Sequence, residues 1–376
     1  MDGIDAVAVD LAGGQVDVLA ALTAPFEPDL ARRLDRVRSN PDHFPVAAAA
    51  ELDAVLGEAF AQAALHVIDR SGLQPADFLA VGCHGQTLLH RPDPPFPHTV
   101  QIGDPWRIAN RTGLTTVADF RRADLAVGGQ GAPLAPLLHQ AVFQVEDEDR
   151  LVANLGGIAN LTVLPAGGGL LGFDTGPANC YLDLWYRRHH HDRHHNRHHN
   201  RHHNRHHNRY DGGGAWAASG EVNTALLASL LDEPYFALPW PKSTGIEHFN
   251  PHWLDQRLAR HPNLPPVDIQ ATLCELSAQT LARAIDQLDG VKPARLILCG
   301  GGIHNHDLVN RLRAHLDGLQ VETSARHGLD PDQVEAILFA WLARQRLIRQ
   351  PIATSPVTGA SADPLLGTLF EPAAAA

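Results

Sequence analysis

At 376 residues the chain is long enough for two domains, each with a substantial core. Its 44% apolar and 19% charged residues exclude wholesale disorder. The formal net charge of -12, from 42 acidic against 30 basic residues, repels a polyanion and argues against nucleic acid as a partner. Cys83, Cys180, Cys274 and Cys299 are far apart and form no C-x-x-C pair, which suits buried thiols in a reducing compartment. No leader-like start is visible, and no apolar run approaches the ~18 residues of a membrane span, so a cytoplasmic protein without a membrane partner is expected.

In chain order, "MDGID" reads as a turn, because Gly3 between two aspartates permits a tight reversal. Ala6 to Leu11 reads as a buried strand, and the Ala- and Leu-rich stretch from Pro45 to Ile68 as a helix. "FLAVGCHGQT" is a strand running into a polar loop. "TVQIGD" and "TTVADF" are strands around a helix from Pro105 to about Asn110, and "APLAPLLHQAVF" is the next helix. "LVANLGGIANLTVLP" reads as two strands around a Gly-Gly turn, and "LLGFDTG" as a strand ending in a loop before a helix near Pro177. "VDIQATLCELSAQTLARAIDQL" is a long helix, "ARLILCGGG" a buried strand with a glycine loop, and "PDQVEAILFAWLARQRL" another helix. The tail "ATSPVTGASADPLLG" is loop-like. The alternation argues for α/β layering.

Between Arg193 and Asn208 the tetrapeptide "RHHN" repeats four times. Paired imidazoles could bind a divalent ion, and a histidine-rich metal-binding module is the third-ranked reading of the chain. The plainer reading is a tandem expansion in a solvated loop, tolerated because lengthening a loop costs little entropy.

Three glycine loops follow strands: "GGQGAP", "NLGGIAN" and "CGGGIHN". Their backbone N–H groups could hold phosphate oxygens, although none fits the P-loop or the G-x-G-x-x-G pattern. "GFDTGPAN" is the sharpest motif. Asp174 at the carboxyl end of a strand stands where α/β folds place ligand crevices, and could serve as a general base or merely cap a helix. The same letters occur in aspartic proteases, but the chain has no second such loop. "CHGQT", "ADFRRADLAVGGQGAP" and "PKSTG" add polar side chains suited to a hydroxyl-rich or acidic ligand.

Taken together, "MDGIDAV", "HGQT", "QIGDP", "VADFRRADLAVGGQGAPLAP", "NLGGIANLT", "GFDTGPAN", "DGGGAWAASG", "PKSTG", "CGGGIHN" and "SPVTGA" resemble the anhydro-N-acetylmuramic acid kinase family, in order and over nearly the whole chain. The resemblance implies a two-domain actin-like ATPase fold of the hexokinase type, with a cleft between the domains. Domain I is expected at 1–119 plus 355–376, and domain II at 120–354 with the His-rich insertion at about 189–209. The implied activity hydrolytically opens 1,6-anhydro-N-acetylmuramic acid and phosphorylates O6, giving N-acetylmuramic acid 6-phosphate and ADP. This is a step of peptidoglycan recycling, with ATP and Mg2+ required.

By the same resemblance Asp174 is the catalytic base that activates a water. Asp2, Gly3, Asp5, Gly156, Gly157, Asn160, Gly300, Gly301 and Gly302 belong to the ATP side, and Arg121, Gln130 and Glu335 to the sugar side. No residue is implied as a metal ligand, and a homodimer is left open. In the family "M-D-G-I-D" closes a longer element, roughly G-x-M-S-G-T-S-M-D-G-I-D, whose Gly-Thr-Ser grips the ATP phosphates. The expectation is a start upstream of Met1 that restores that strand and loop. The alternative is a non-catalytic amino-sugar-binding homologue, since the sugar-side segments are intact and the ATP side is not.

Overall fold

The computed structural model describes residues 3–39, 43–93, 95–190 and 210–374. Asp2 and the RHHN repeat lie outside the described residues. The chain divides into two compact units, Met1–Val142 with Gln333–Ala376, and Phe143–Asp332. The expected α/β class and two-domain plan are observed. The boundaries differ from those expected at 119/120 and 354/355, because 120–142 and 333–354 belong with the first unit.

The first unit opens with β1 (Gly3–Asp10), which pairs antiparallel with β2 (Asp17–Pro25). Gly3 to Asp5 are therefore strand, and not the turn that the Asp-Gly letters suggest. Gly3 lies opposite Pro25, and a Cβ there would stand 2.4 Å from the Ala24 carbonyl oxygen, so this glycine serves close backbone approach. Helices α1 (Pro28–Ser39) and α2 (Val46–Ser71) follow, and Leu30, Leu34, Leu52 and Leu56 pack into one apolar cluster with Ile102. Next come β3 (Val81–Gly82), β4 (Gln86–Arg91) and β5 (His98–Ile102). Then follow α3 (Pro105–Thr112), β6 (Thr116–Ala118), α4 (Arg122–Ala126) and α5 (Ala135–Phe143). Asp104 starts α3 by accepting hydrogen bonds from the Trp106 and Arg107 amides, with Pro105 pre-set in the first turn.

The second unit is built on a five-stranded sheet. Its elements are β7 (Arg150–Leu155), β8 (Ile158–Leu164), β9 (Leu171–Pro177), α6 (Asn179–His190), α7 (Ala215–Ala218), α8 (Thr224–Leu231) and α9 (Pro251–Leu258). They continue with α10 (Pro266–Asp286), β10 (Arg295–Cys299), α11 (His306–His315) and β11 (Gln320–Thr323). The strand order is β11-β10-β7-β8-β9; β8 alone runs opposite to the others, antiparallel to both β7 and β9. Helix α10 buries most of its length against the sheet and its neighbours, which explains why its apolar pattern was legible.

On α10, Glu275 is 8% exposed, accepts hydrogen bonds from Arg311 Nη1 at 3.0 Å and Gln279 Nε2 at 2.9 Å, and lies 2.6 Å from His315 Nε2. Burial raises its pKa, but these partners together outweigh burial and hold it below the ordinary 4.5. A depressed carboxyl stabilises the fold above its unfolded pKa, and that contribution is lost as pH falls through the folded value. The second unit should therefore lose stability below about pH 4.5, and Glu275→Gln should flatten that dependence. Urea midpoints recorded from neutral pH down to about pH 3 check this; an unchanged slope in the variant contradicts it.

The chain returns to the first unit in α12 (Val334–Leu347), α13 (Ser355–Thr358) and β12 (Thr368–Phe370). Strands β12, β6 and β3 form one sheet, and α12 packs on β1, β3 and β6. That packing is why 333–354 belongs to this unit. A cavity of about 700 Å³ within it is lined by β1, by Phe78–Gln86 and by faces of α2 and α12. No helix among the described residues is long and apolar enough to cross a membrane, and none of the four cysteines forms a disulfide.

Candidate active site

In the second unit, β7, β8 and β9 carry a polar row across adjacent strands. Asn154 stands opposite Asn160, and Asn160 opposite Asp174. Directly paired residues project to the same face, so these three side chains share one face of the sheet. The register of β8 and β9 shifts beside this row: Ala159 faces Gly176 and Asn160 faces Asp174, which leaves Thr175 as an extra residue. Such a bulge re-aims the neighbouring side chain, and here that side chain is Asp174.

Asp174 is 7% exposed. Its Oδ2 accepts a hydrogen bond from Ser243 Oγ at 3.1 Å and another from the Thr244 amide at 3.0 Å. Its own amide donates to the Lys242 carbonyl at 3.1 Å, and its carbonyl accepts from the Tyr235 hydroxyl at 2.8 Å. The helix-capping role is not seen. Asp174 lies inside β9, which runs on to Pro177, and α6 begins only at Asn179. Among the described residues the buried Asn160 Oδ1 atom has no hydrogen-bond partner, a feature that suits ligand contact.

The Gly156-Gly157 turn joins β7 to β8 as expected, and sits over the start of α6. Gly157 O accepts from the Ala178 and Cys180 amides, and Gly156 O from the Asn179 amide. The Gly300 loop follows β10 and lies against the same strands. Gly300 has φ 79° and ψ 165°, and a Cβ on it would stand 2.1 Å from Asn154 Oδ1. Gly301 opens a single helical turn, and a Cβ on Gly302 would stand 2.5 Å from that of Leu155. The expected phosphate and adenosine loops are thus neighbours, and at Gly300 and Gly302 a side chain would collide with β7.

In the first unit, Arg121 is fixed at two points. Its Nε donates to His84 Nε2 at 2.9 Å and its Nη1 to the Gly131 carbonyl at 2.7 Å. Asp119, two residues earlier, has φ 58°, a left-handed turn that aspartate tolerates. His84 stacks on Phe339 with centroids 4.5 Å apart, and burial together with Arg121 holds its pKa well below the usual value. Arg121 donating to Nε2 agrees with that neutral ring.

Glu335, in the first turn of α12, lines the cavity together with Asp5 and His84. Desolvation by the surrounding protein raises the Glu335 pKa, opposed by Arg121 and aided by Asp5. The Gln130 backbone N–H donates to the Thr358 carbonyl, and its buried Oε1 has no partner among the described residues. Gly3 and Asp5 both lie on β1, where Asp5 accepts a hydrogen bond from Thr23 Oγ1 at 2.6 Å. Asp2 lies outside the described residues.

The sequence reading did not single out Lys242, Ser243, Thr244, Tyr235, Asn154 or His84 as individual site residues. Four of the six lie in segments already noted for their polarity, "PKSTG" and "CHGQT" among them.

Comparison with known proteins gives a family match along the chain. The family model described as anhydro-N-acetylmuramic acid kinase matches residues 1–372. The anhydro-N-acetylmuramic acid kinase of Xylella fastidiosa is 46% identical over 372 residues, covering 98% of this chain and 93% of the relative. That of Pasteurella multocida is 42% identical, covering 98% and 94%. A solved ROK family glucokinase from Streptomyces griseus, in complex with glucose and AMPPNP, covers 91% of this chain and 100% of its own. Its TM-score of 0.34 at 15% identity is too low to carry an argument.

Proposed function

The chain belongs to the anhydro-N-acetylmuramic acid kinase family, and from that membership we propose that it opens 1,6-anhydro-N-acetylmuramic acid with water and transfers the γ-phosphoryl of ATP to O6. The observation that carries the reading is Asp174, a buried carboxylate held in one orientation by Ser243 Oγ and the Thr244 amide. In this reading Asp174 takes a proton from the water that bonds to C1. The C1–O6 bond breaks, and the released O6 takes the γ-phosphoryl as ADP leaves. Phosphoryl transfer depends on positioning and on neutralised oxygens, which glycine-loop amides are suited to provide.

Gly156, Gly157, Asn160 and Gly300 to Gly302 are assigned to the nucleotide side, with Gly3 and Asp5 of β1. Arg121, Gln130 and Glu335 are assigned to the sugar. Gln130 Oε1 and Asn160 Oδ1, both buried and without a partner among the described residues, support ligand contact at both places. Among the described residues, no group of three or more His, Cys, Asp or Glu is gathered to hold a metal ion. Magnesium is assigned to the phosphates of ATP, its usual mode of binding.

The test is ADP release by the full-length protein with ATP and magnesium. Release should require the anhydro sugar and should not occur with N-acetylmuramic acid, whose bridge is already open. Equal release with both sugars would contradict the proposal.

A further inference from the structure

Lys242 is a buried lysine that the chemistry above does not use. It is 6% exposed; burial lowers its pKa from the ordinary 10.5, and the Asp174 carboxylate opposes that shift. Its Nζ donates to the carbonyls of Tyr235 at 3.2 Å and Phe236 at 3.0 Å, and lies 4.9 Å from the centroid of the Tyr235 ring. Burying an ammonium carries a desolvation cost that remains even after the surroundings relax. A methionine of similar shape would fill the space without that cost.

The surrounding hydrogen bonds show what the charge joins together. The turn at Pro234–Ala237 supplies the Tyr235 hydroxyl, which donates to the Asp174 carbonyl. The segment 242–244 supplies the Lys242 carbonyl to the Asp174 amide, and Ser243 Oγ and the Thr244 amide to the Asp174 carboxylate. Asp174 is thus held on its backbone from both segments and on its side chain from one. The Lys242 ammonium bridges the two segments through the Tyr235 and Phe236 carbonyls, closing a ring of contacts around Asp174.

We infer that Lys242 is a positioning residue for the reaction, a buried cation that locks the 235–236 turn to the 242–244 segment and so fixes where the Asp174 carboxylate points. The inference rests on the reading of Asp174 as the base. Lys242 has no part in binding either substrate, so its loss reduces turnover and spares affinity. A shift of about an ångström in a catalytic group costs up to ~10²-fold in rate, which sets the scale of the effect.

The experiment measures kcat and KM for both substrates in the full-length protein and in Lys242→Met, Tyr235→Phe and the double variant, with Asp174→Asn alongside. Lys242→Met should lower kcat about tenfold or more, with both KM values within about twofold. Tyr235→Phe keeps the ring and removes only the hydroxyl on Asp174, so it should lower kcat severalfold with KM unchanged. Because both act through one residue, the double variant should lose much less than the product of the single losses.

Lys242→Met with kcat within about twofold of the parent, or with the loss appearing mainly in KM, overturns the inference. Multiplicative losses in the double variant overturn it too. If Lys242→Met does not fold, Tyr235→Phe decides, and an unchanged kcat there counts against the inference. Asp174→Asn retaining more than about a tenth of kcat removes the base assignment and the inference with it. A dead Asp174→Asn beside an active Lys242→Met removes the inference alone.

Discussion

Asp174→Asn in the full-length protein should lower kcat by ~10²–10⁴, the range expected when general-base help is lost. The amide keeps the shape of the carboxylate but cannot take a proton from water. Ser243 Oγ and the Thr244 amide both donate to Oδ2, and the Asn oxygen can still accept there, so the local structure should hold. The Asp174 backbone contacts with Lys242 and Tyr235 do not depend on the carboxylate. ATP should therefore bind within about twofold of its parent affinity, and the loss should fall on kcat. Steady-state kinetics with a nucleotide-binding titration on the same protein check both halves. A variant that keeps more than about a tenth of kcat shows that Asp174 is not the base.

Gly300→Ala should have the second-largest effect, on nucleotide affinity and on stability together. Gly300 lies at φ 79° and ψ 165°, a region that residues with a Cβ scarcely enter, and strain there costs ~1–3 kcal/mol. The new methyl would also stand 2.1 Å from Asn154 Oδ1 and 3.2 Å from the Leu155 backbone. The side chain of Asn154 could rotate, but the backbone of β7 cannot yield without disturbing the sheet. The loop must move instead, and it carries Gly301 and Gly302, assigned to the nucleotide. ATP affinity should fall about tenfold or more, and the thermal midpoint should drop by several degrees. Calorimetric titration with ATP and thermal unfolding measure the two effects. Parent-like values in both would show that the loop's conformation has no part in holding ATP.

How much of this was legible in the sequence follows from the range of each interaction. Helices α2, α10 and α12 announce themselves because an apolar face repeats within the helix itself. The β7–β8 hairpin is legible because its Gly-Gly turn is contiguous with both strands. The segment Gly3–Asp5 was misread, since the same Asp-Gly letters serve a turn or a close strand pairing, and only the partner strand decides. Asp174 was legible as the carboxylate of its motif, although the strand expected to end there runs on to Pro177. Its supports were not, since Ser243 and Thr244 are 69 and 70 residues away in sequence, and register across the sheet is not written in either strand. His84 and Arg121, 37 residues apart, were noted in separate motifs, and only the folded chain joins them. The division at 142/143 and 332/333 was missed because α12 looks like a neighbour of the second unit in sequence, yet packs on β1, β3 and β6.

The most direct test of the central claim is the mass of the sugar product formed by the full-length protein from ATP and 1,6-anhydro-N-acetylmuramic acid. Water addition at C1 with phosphoryl transfer to O6 requires a product heavier than the substrate by one water and one phosphoryl group, with one ADP for each. That product should disappear with Asp174→Asn. A product heavier by a phosphoryl group alone would mean that the bridge survives and another hydroxyl is the acceptor, and ADP formed without any phosphorylated sugar would mean that the chain is not this kinase.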